Sequence, residues 1–116
     1  MRPEDVIQRA IRAEFKRHGF DTVAVPNGSV LAGGPSQRAR QMNSLKASGL
    51  RVGFPDLIVF APEGRIGFVE VKREGTKQSA TQVECETWLH GLGHKYVVMR
   101  TSMDVIETLN EWGWTK

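Results

Sequence analysis

Asp56-Leu-Ile-Val-Phe60-Ala-Pro-Glu-Gly64-Arg65-Ile-Gly-Phe-Val-Glu70-Val-Lys72 is the stretch on which the fold turns. Two short, almost wholly apolar runs flank a loop of Pro62, Glu63 and Gly64, and that pattern predicts a β-hairpin. Pro62 suits the second position of a type I turn. Gly64 suits the left-handed residue that closes a three-residue loop. If Ala61 and Arg65 close the loop, Asp56 falls directly across from Glu70. Opposed residues share a face, with Cα atoms roughly 4.5–5.5 Å apart. Lys72 lies two residues past Glu70 and points the same way. The hairpin thus gathers two carboxylates and an ammonium at one end of an apolar ladder.

Two carboxylates held that close repel, and an apolar setting makes ionising both harder still. Leu57, Ile58, Val59, Phe68, Val69 and Val71 supply that setting. A divalent cation resolves the conflict. Mg²⁺ takes oxygen ligands, typically one or two carboxylates with waters and phosphate oxygens. Such an ion activates water near neutral pH and stabilises charge on a transferring phosphate. Lys72 would position the attacking water or stabilise the transition state. A Glu-x-Lys pair alone is more often a structural salt bridge on a strand. Asp56 at the matching cross-strand position favours the metal site.

A further ligand would hold the ion better. Residues 4–18 read as a helix whose broad apolar face carries Val6, Ile7, Ala10, Ile11 and Phe15. Glu4 lies near the edge of that face, and Glu14 lies nearer its centre. Glu4 reads equally well as a first-turn acid set against the helix dipole. Gln82 either reaches the site or forms a capping box with Ser79, and the local sequence favours the cap. His18, His90 and His94 show no metal-ligand spacing. Cys85 reads as a core residue on one helix face with Trp88 and Leu89. Trp112 and Trp114 read as core or interface anchors.

Outward from the hairpin, Thr22–Val25 reads as a short strand, and Pro26-Asn27-Gly28 turns the chain. Gly33-Gly34-Pro35 breaks structure, and Ser36 is placed to cap a basic helix from about Gln37 to Ala47. A helix from Ser79 to about His90, a strand over Tyr96–Met99 and a helix from Met103 to about Trp112 follow. Ser102 or Thr101 would cap the last one. The order α, β, α, β, β, α, β, α predicts an α/β fold, a mixed sheet with helices on both faces.

The chain of 116 residues suits one domain, 1–116. Net charge is only +3, but its distribution is uneven. Between Asp21 and Asp56 there is no acid, while Arg38, Arg40, Lys46 and Arg51 stand there. A segment of one sign suits a polyanion such as nucleic acid. A solvated basic loop explains the charge equally well. One cysteine excludes an intrachain disulfide and fits a reducing compartment. No apolar run approaches a signal peptide or a membrane span. The expectation is a cytoplasmic protein with no membrane association. Walker, dinucleotide and zinc-finger motifs are missing, so no small-molecule cofactor is expected.

Taken together, Gly53-Phe-Pro55-Asp56-Leu-Ile, Phe68-Val-Glu70-Val-Lys72 and Ser79-Ala-Thr-Gln82 resemble the virus-type replication-repair nuclease (VRR-Nuc) family of the PD-(D/E)XK superfamily. The similarity extends to Glu4…Gln8, Pro26-Asn27-Gly28, Leu45-Lys46-Ala-Ser-Gly49 and Gly91-Leu-Gly-His-Lys-Tyr-Val-Val. It implies a restriction-endonuclease-like fold, a mixed central sheet flanked by helices, with a Mg²⁺ or Mn²⁺ site. Asp56 and Glu70 match the metal ligands, with the Val71 carbonyl as a backbone ligand. Lys72 matches the catalytic lysine, Glu4 the first-helix acid and Gln82 the family glutamine. Gly33–Gln41 matches least well.

The resemblance further implies a phage or bacterial setting and a homodimer acting on branched DNA such as four-way junctions or flaps. Such a protein serves replication, repair or recombination. Asn27, Arg38, Arg40, Lys46 and Arg51 are then the expected DNA contacts, anchoring phosphates without reading sequence. Two alternatives stand beside this reading. One is a non-catalytic module, on the same fold, that binds nucleic acid or protein. The other is the same chemistry on RNA.

Overall fold

The hairpin forms in the expected register. The computed structural model describes residues 2–26 and 31–114. β2 (Leu57–Ala61) pairs antiparallel with β3 (Arg65–Val71), with Leu57 opposite Val69 and Ala61 opposite Arg65. The turn differs from expectation. Glu63 (φ 67°) as well as Gly64 (φ 73°) is left-handed, so the loop is not built on a type I turn. Consecutive left-handed residues match the right-handed twist of paired strands, and that demand overrides the preference of Glu63.

β1 (Asp21–Ala24) adds antiparallel to β2, and β4 (Lys95–Met99) adds parallel to β3, giving the order β1-β2-β3-β4. The parallel step is made by α3 (Ala80–Gly91), the crossover such a pair requires. α1 (Pro3–Arg17) and α4 (Asp104–Trp112) cover the opposite face. Alternate strand residues feed two cores. Leu57, Val59, Val69, Val71 and Met99 pack with Ile11 and Phe15 of α1 and with Val105 and Leu109 of α4. Phe68 and Tyr96 pack with Cys85 and Leu89 of α3. Val6 and Ala10, expected on the apolar face of α1, are exposed.

Gly67 lets the strand approach the C-terminal tryptophans, since a Cβ there would lie 2.6 Å from the Trp112 ring. Trp114 is buried and meets Trp112 edge-on, 4.7 Å between ring centres. Both tryptophans therefore serve the core.

α2 (Pro35–Ala47) buries none of its residues. Its N-cap is Gly34, not Ser36. Pro35 takes the first helical position, where its missing N–H costs nothing, and the Gln37 side chain accepts the Gly34 N–H at 2.9 Å. Neither Ser102 nor Thr101 is the N-cap of α4. Met103 holds that position, and Asp104 Oδ2 instead accepts the N–H groups of Arg100 and Thr101. Among the described residues, no helix is long and apolar enough to cross a membrane.

Candidate active site

Asp56 stands one residue before β2 and is gripped from both sides. Its backbone carbonyl accepts the Val25 N–H at 2.8 Å, extending the β1 ladder. Its carboxylate oxygen Oδ2 accepts the Val71 N–H at 2.7 Å, taking over where the β2–β3 ladder ends. Gly53 sets the approach of this segment. It has φ +83°, and a Cβ on it would lie 2.5 Å from the Thr81 carbonyl carbon, so only glycine lets the loop lie on the first turn of α3.

Glu70 is 1% exposed, an unusual place for a carboxylate. Its Oε2 accepts a hydrogen bond from Gln82 Nε2 at 2.9 Å. Gln82 also caps α3: its Oε1 accepts the Ser79 N–H at 2.8 Å, and Ser79 Oγ accepts the Gln82 N–H. The two roles that sequence reading set against each other coexist, because the amide has a donor end and an acceptor end. Glu70 Oε1 is buried with no hydrogen-bond partner among the described residues.

A cleft of about 210 Å³ collects these groups; its lining includes Arg2, Glu4, Asp56, Glu70, Lys72 and Gln82. Asp5, Gln8 and Val71 also border it. Lys72 makes no ion pair within 4 Å among the described residues, so the structural salt bridge does not form. Burial raises the pKa of Asp56, opposed by the Val71 N–H and by the Lys72 charge. Burial, then the Asp56 charge, pushes Glu70 up to about 9. Glu4 adds negative charge that raises both. The site is short of positive charge, and a buried carboxylate oxygen lacks a partner. Such a donor set fits a hard divalent cation completed by water or phosphate oxygens.

Glu14 is excluded from the cleft. It pairs with Arg17 at 2.8 Å and with His18 at 3.3 Å. Glu4 reaches the cleft, but among the described residues no three Asp, Glu, His or Cys side chains cluster tightly enough to form a metal cage. His90 lies beside Glu86, and His94 meets the edge of Phe68. Asn27 lies outside the described residues. Arg38, Arg40, Lys46 and Arg51 are all exposed. They divide into two sets: Arg38 and Arg40 on α2, with Arg40 edging a shallow hollow, and Lys46 and Arg51 at a second, larger cleft. Trp88 corrects another expectation. It is 40% exposed, and the Arg51 guanidinium sits 3.9 Å from its ring centre. Arg2, which borders the carboxylate cleft, was not singled out from sequence. A terminal arginine preceding Pro3 carries no signal until α1 is docked.

Comparison with known proteins shows the family to which this fold belongs. The model of the VRR-NUC domain matches residues 2–103. The chain belongs to the VRR-NUC family. A solved structure described as a VRR_NUC domain superposes with TM-score 0.64 at 27% identity, covering 93% of this chain and 94% of its own. A VRR_NUC domain protein superposes with TM-score 0.70 at 22% identity, covering 97% and 88%, and shares the fold. "Putative nuclease p44" of Acyrthosiphon pisum secondary endosymbiont phage 1 is 41% identical over 49 residues. That match spans 42% of this chain and about half (53%) of the phage protein.

Proposed function

We propose that this protein is a metal-dependent endonuclease that hydrolyses DNA phosphodiester bonds. The observation that carries the reading is the Asp56–Glu70 pair beside Lys72, with Glu70 Oε1 buried and unpartnered in an open cleft. Glu4, Asp56, Glu70 and the Val71 carbonyl would hold Mg²⁺ or Mn²⁺. When bound, the ion supplies Lewis acidity and lowers the pKa of water.

The protein groups do the rest. Lys72 holds the attacking water in line and offsets negative charge that builds on the phosphate. Gln82 fixes the rotamer of Glu70 through its donated hydrogen bond. Arg38, Arg40, Lys46 and Arg51 would bind phosphates and orient the strand. Val71 donates its N–H to Asp56 Oδ2, which holds the carboxylate in place.

Branched DNA, a four-way junction or a flap, is the proposed substrate, cut by a homodimer whose twofold axis suits a junction. The phage relative supports a setting in a bacterial or phage-infected cell. The test is cleavage of labelled junction, flap, linear duplex and single-stranded DNA in Mg²⁺, Mn²⁺ or EDTA. Metal-dependent cutting of branched DNA ahead of linear duplex is expected. Equal cutting of all shapes would remove the structure selectivity, and a monomer by light scattering would remove the dimer.

A further inference from the structure

A second concavity lies beyond the catalytic cleft and is nearly three times its size, about 600 Å³. Its walls include Val25, Lys46, Leu50, Arg51, Phe54 and Trp88. Lys46 and Arg51 bring two cations, and no acid lines it among the described residues. Trp88 would be expected in the core at its spacing from Cys85 and Leu89, yet its ring is turned outward under the Arg51 guanidinium. Phe54 is held edge-on against Phe68, 5.6 Å between ring centres. A planar cation–aromatic stack, apolar walls and net positive charge match one kind of ligand: a flat ring joined to an anion.

We propose that this cleft receives a nucleobase of the DNA strand, stacked on the Arg51–Trp88 platform, with the neighbouring phosphate beside Lys46. Bases leave the duplex stack to lie on aromatic rings or guanidinium planes in just this chemistry. The inference deepens the nuclease reading and rests on it. The two clefts are joined by the chain itself. Gly49, Leu50, Arg51 and Phe54 border the larger cleft, and Phe54 leads through Pro55 into Asp56. Trp88 follows Gln82 by six residues along α3. That is about 9 Å of helix axis. Only a base outside the duplex stack can lie on Trp88, which favours branched or unpaired DNA over closed duplex.

The test is fluorescence anisotropy in EDTA with two short labelled strands of equal length, one of normal nucleotides and one of abasic linkers. The wild type should bind the base-bearing strand about tenfold more tightly. Trp88→Ala should lose about that factor on the base-bearing strand and nothing on the abasic one. Trp88→Phe should keep most of the preference. If Trp88→Ala fails to fold, Arg51→Gln should weaken binding of the base-bearing strand more than of the abasic one, whose loss reports the phosphate charge alone. No preference in the wild type, or an equal effect of the variants on both strands, would overturn the proposal. So would a mononucleotide that competes as well as the strand, which would make the cleft a free-nucleotide site. EDTA separates the two readings. A protein that cuts DNA without base-dependent binding loses only this inference, and base-dependent binding without cutting loses only the catalysis.

Discussion

Gln82 Nε2 donates to Glu70 Oε2 at 2.9 Å, tying the first turn of α3 to the buried carboxylate of β3. The same side chain accepts the Ser79 N–H, so one residue both starts the helix and orients the candidate metal ligand. These two roles separate by mutation. Gln82→Glu retains an acceptor for Ser79 but sets a third carboxylate against Glu70. It should keep the cap, with a thermal midpoint close to wild type in saturating metal, and lose cleavage. Gln82→Ala should lose both, at about 1–2 kcal/mol of stability by urea titration. Full cleavage by Gln82→Glu would contradict the orienting role.

Glu70 makes the metal-free protein sensitive to pH. Its carboxyl is pushed up to about 9 from an ordinary 4.5, so the folded state holds a proton that the unfolded chain releases. Stability from this group is intact below about pH 4.5 and declines as pH rises towards 9. Thermal midpoints in EDTA should therefore fall across that window, and Mn²⁺ should restore them most at the alkaline end. Glu70→Gln should flatten the EDTA profile and abolish the metal response. An unchanged profile in Glu70→Gln would show that another group governs the dependence.

Gly53 is a point where a single methyl group would act at a distance. Its φ of +83° and the 2.5 Å separation of a Cβ from Thr81 leave no room for alanine. Gly53→Ala should cost about 1–3 kcal/mol. It should also push Asp56 out of line with Glu70, so that metal affinity falls with stability. Calorimetric titration of Mn²⁺ beside a denaturant curve checks both.

Much of the site was legible in the sequence because it lies on a hairpin, where alternation and loop length alone set register. Leu57 opposite Val69 carries Asp56 to Glu70 without any tertiary knowledge. Gln82 was legible only as alternatives, since nothing local says that its amide faces Glu70. Glu4 and Glu14 were inseparable on periodicity. The Arg17 and His18 side chains decide the matter by occupying Glu14. Trp88 was misplaced because helical spacing records only which residues share a face. Its ring lies instead 40% exposed, with the Arg51 guanidinium 3.9 Å from its centre. Other local details went differently: Gly34 rather than Ser36 caps α2, Met103 holds the N-cap of α4, and Glu63 is left-handed in the hairpin turn, whereas the Ser79–Gln82 box forms as read.

Arg38 and Arg40 project from a helix that buries nothing, so their removal should leave the fold unchanged. If they bind phosphates, the double Ala variant should weaken all DNA shapes alike. It should reduce the salt dependence of binding by about 0.9 in log–log slope for each phosphate no longer neutralised. Anisotropy across a salt series measures this. A slope equal to wild type would assign α2 to another role.

Lys72 carries the central claim, because its ammonium borders the carboxylate pair and makes no ion pair within 4 Å among the described residues. The most direct measurement is single-turnover cleavage of a labelled four-way junction by wild type and Lys72→Ala, with DNA and Mn²⁺ affinities measured on the same samples. Cleavage should fall roughly 100- to 1000-fold, while both affinities stay near wild type. Wild-type cleavage by Lys72→Ala, or a wild type that binds no metal and cuts nothing, would contradict the assignment and leave a nuclease-like fold that only binds.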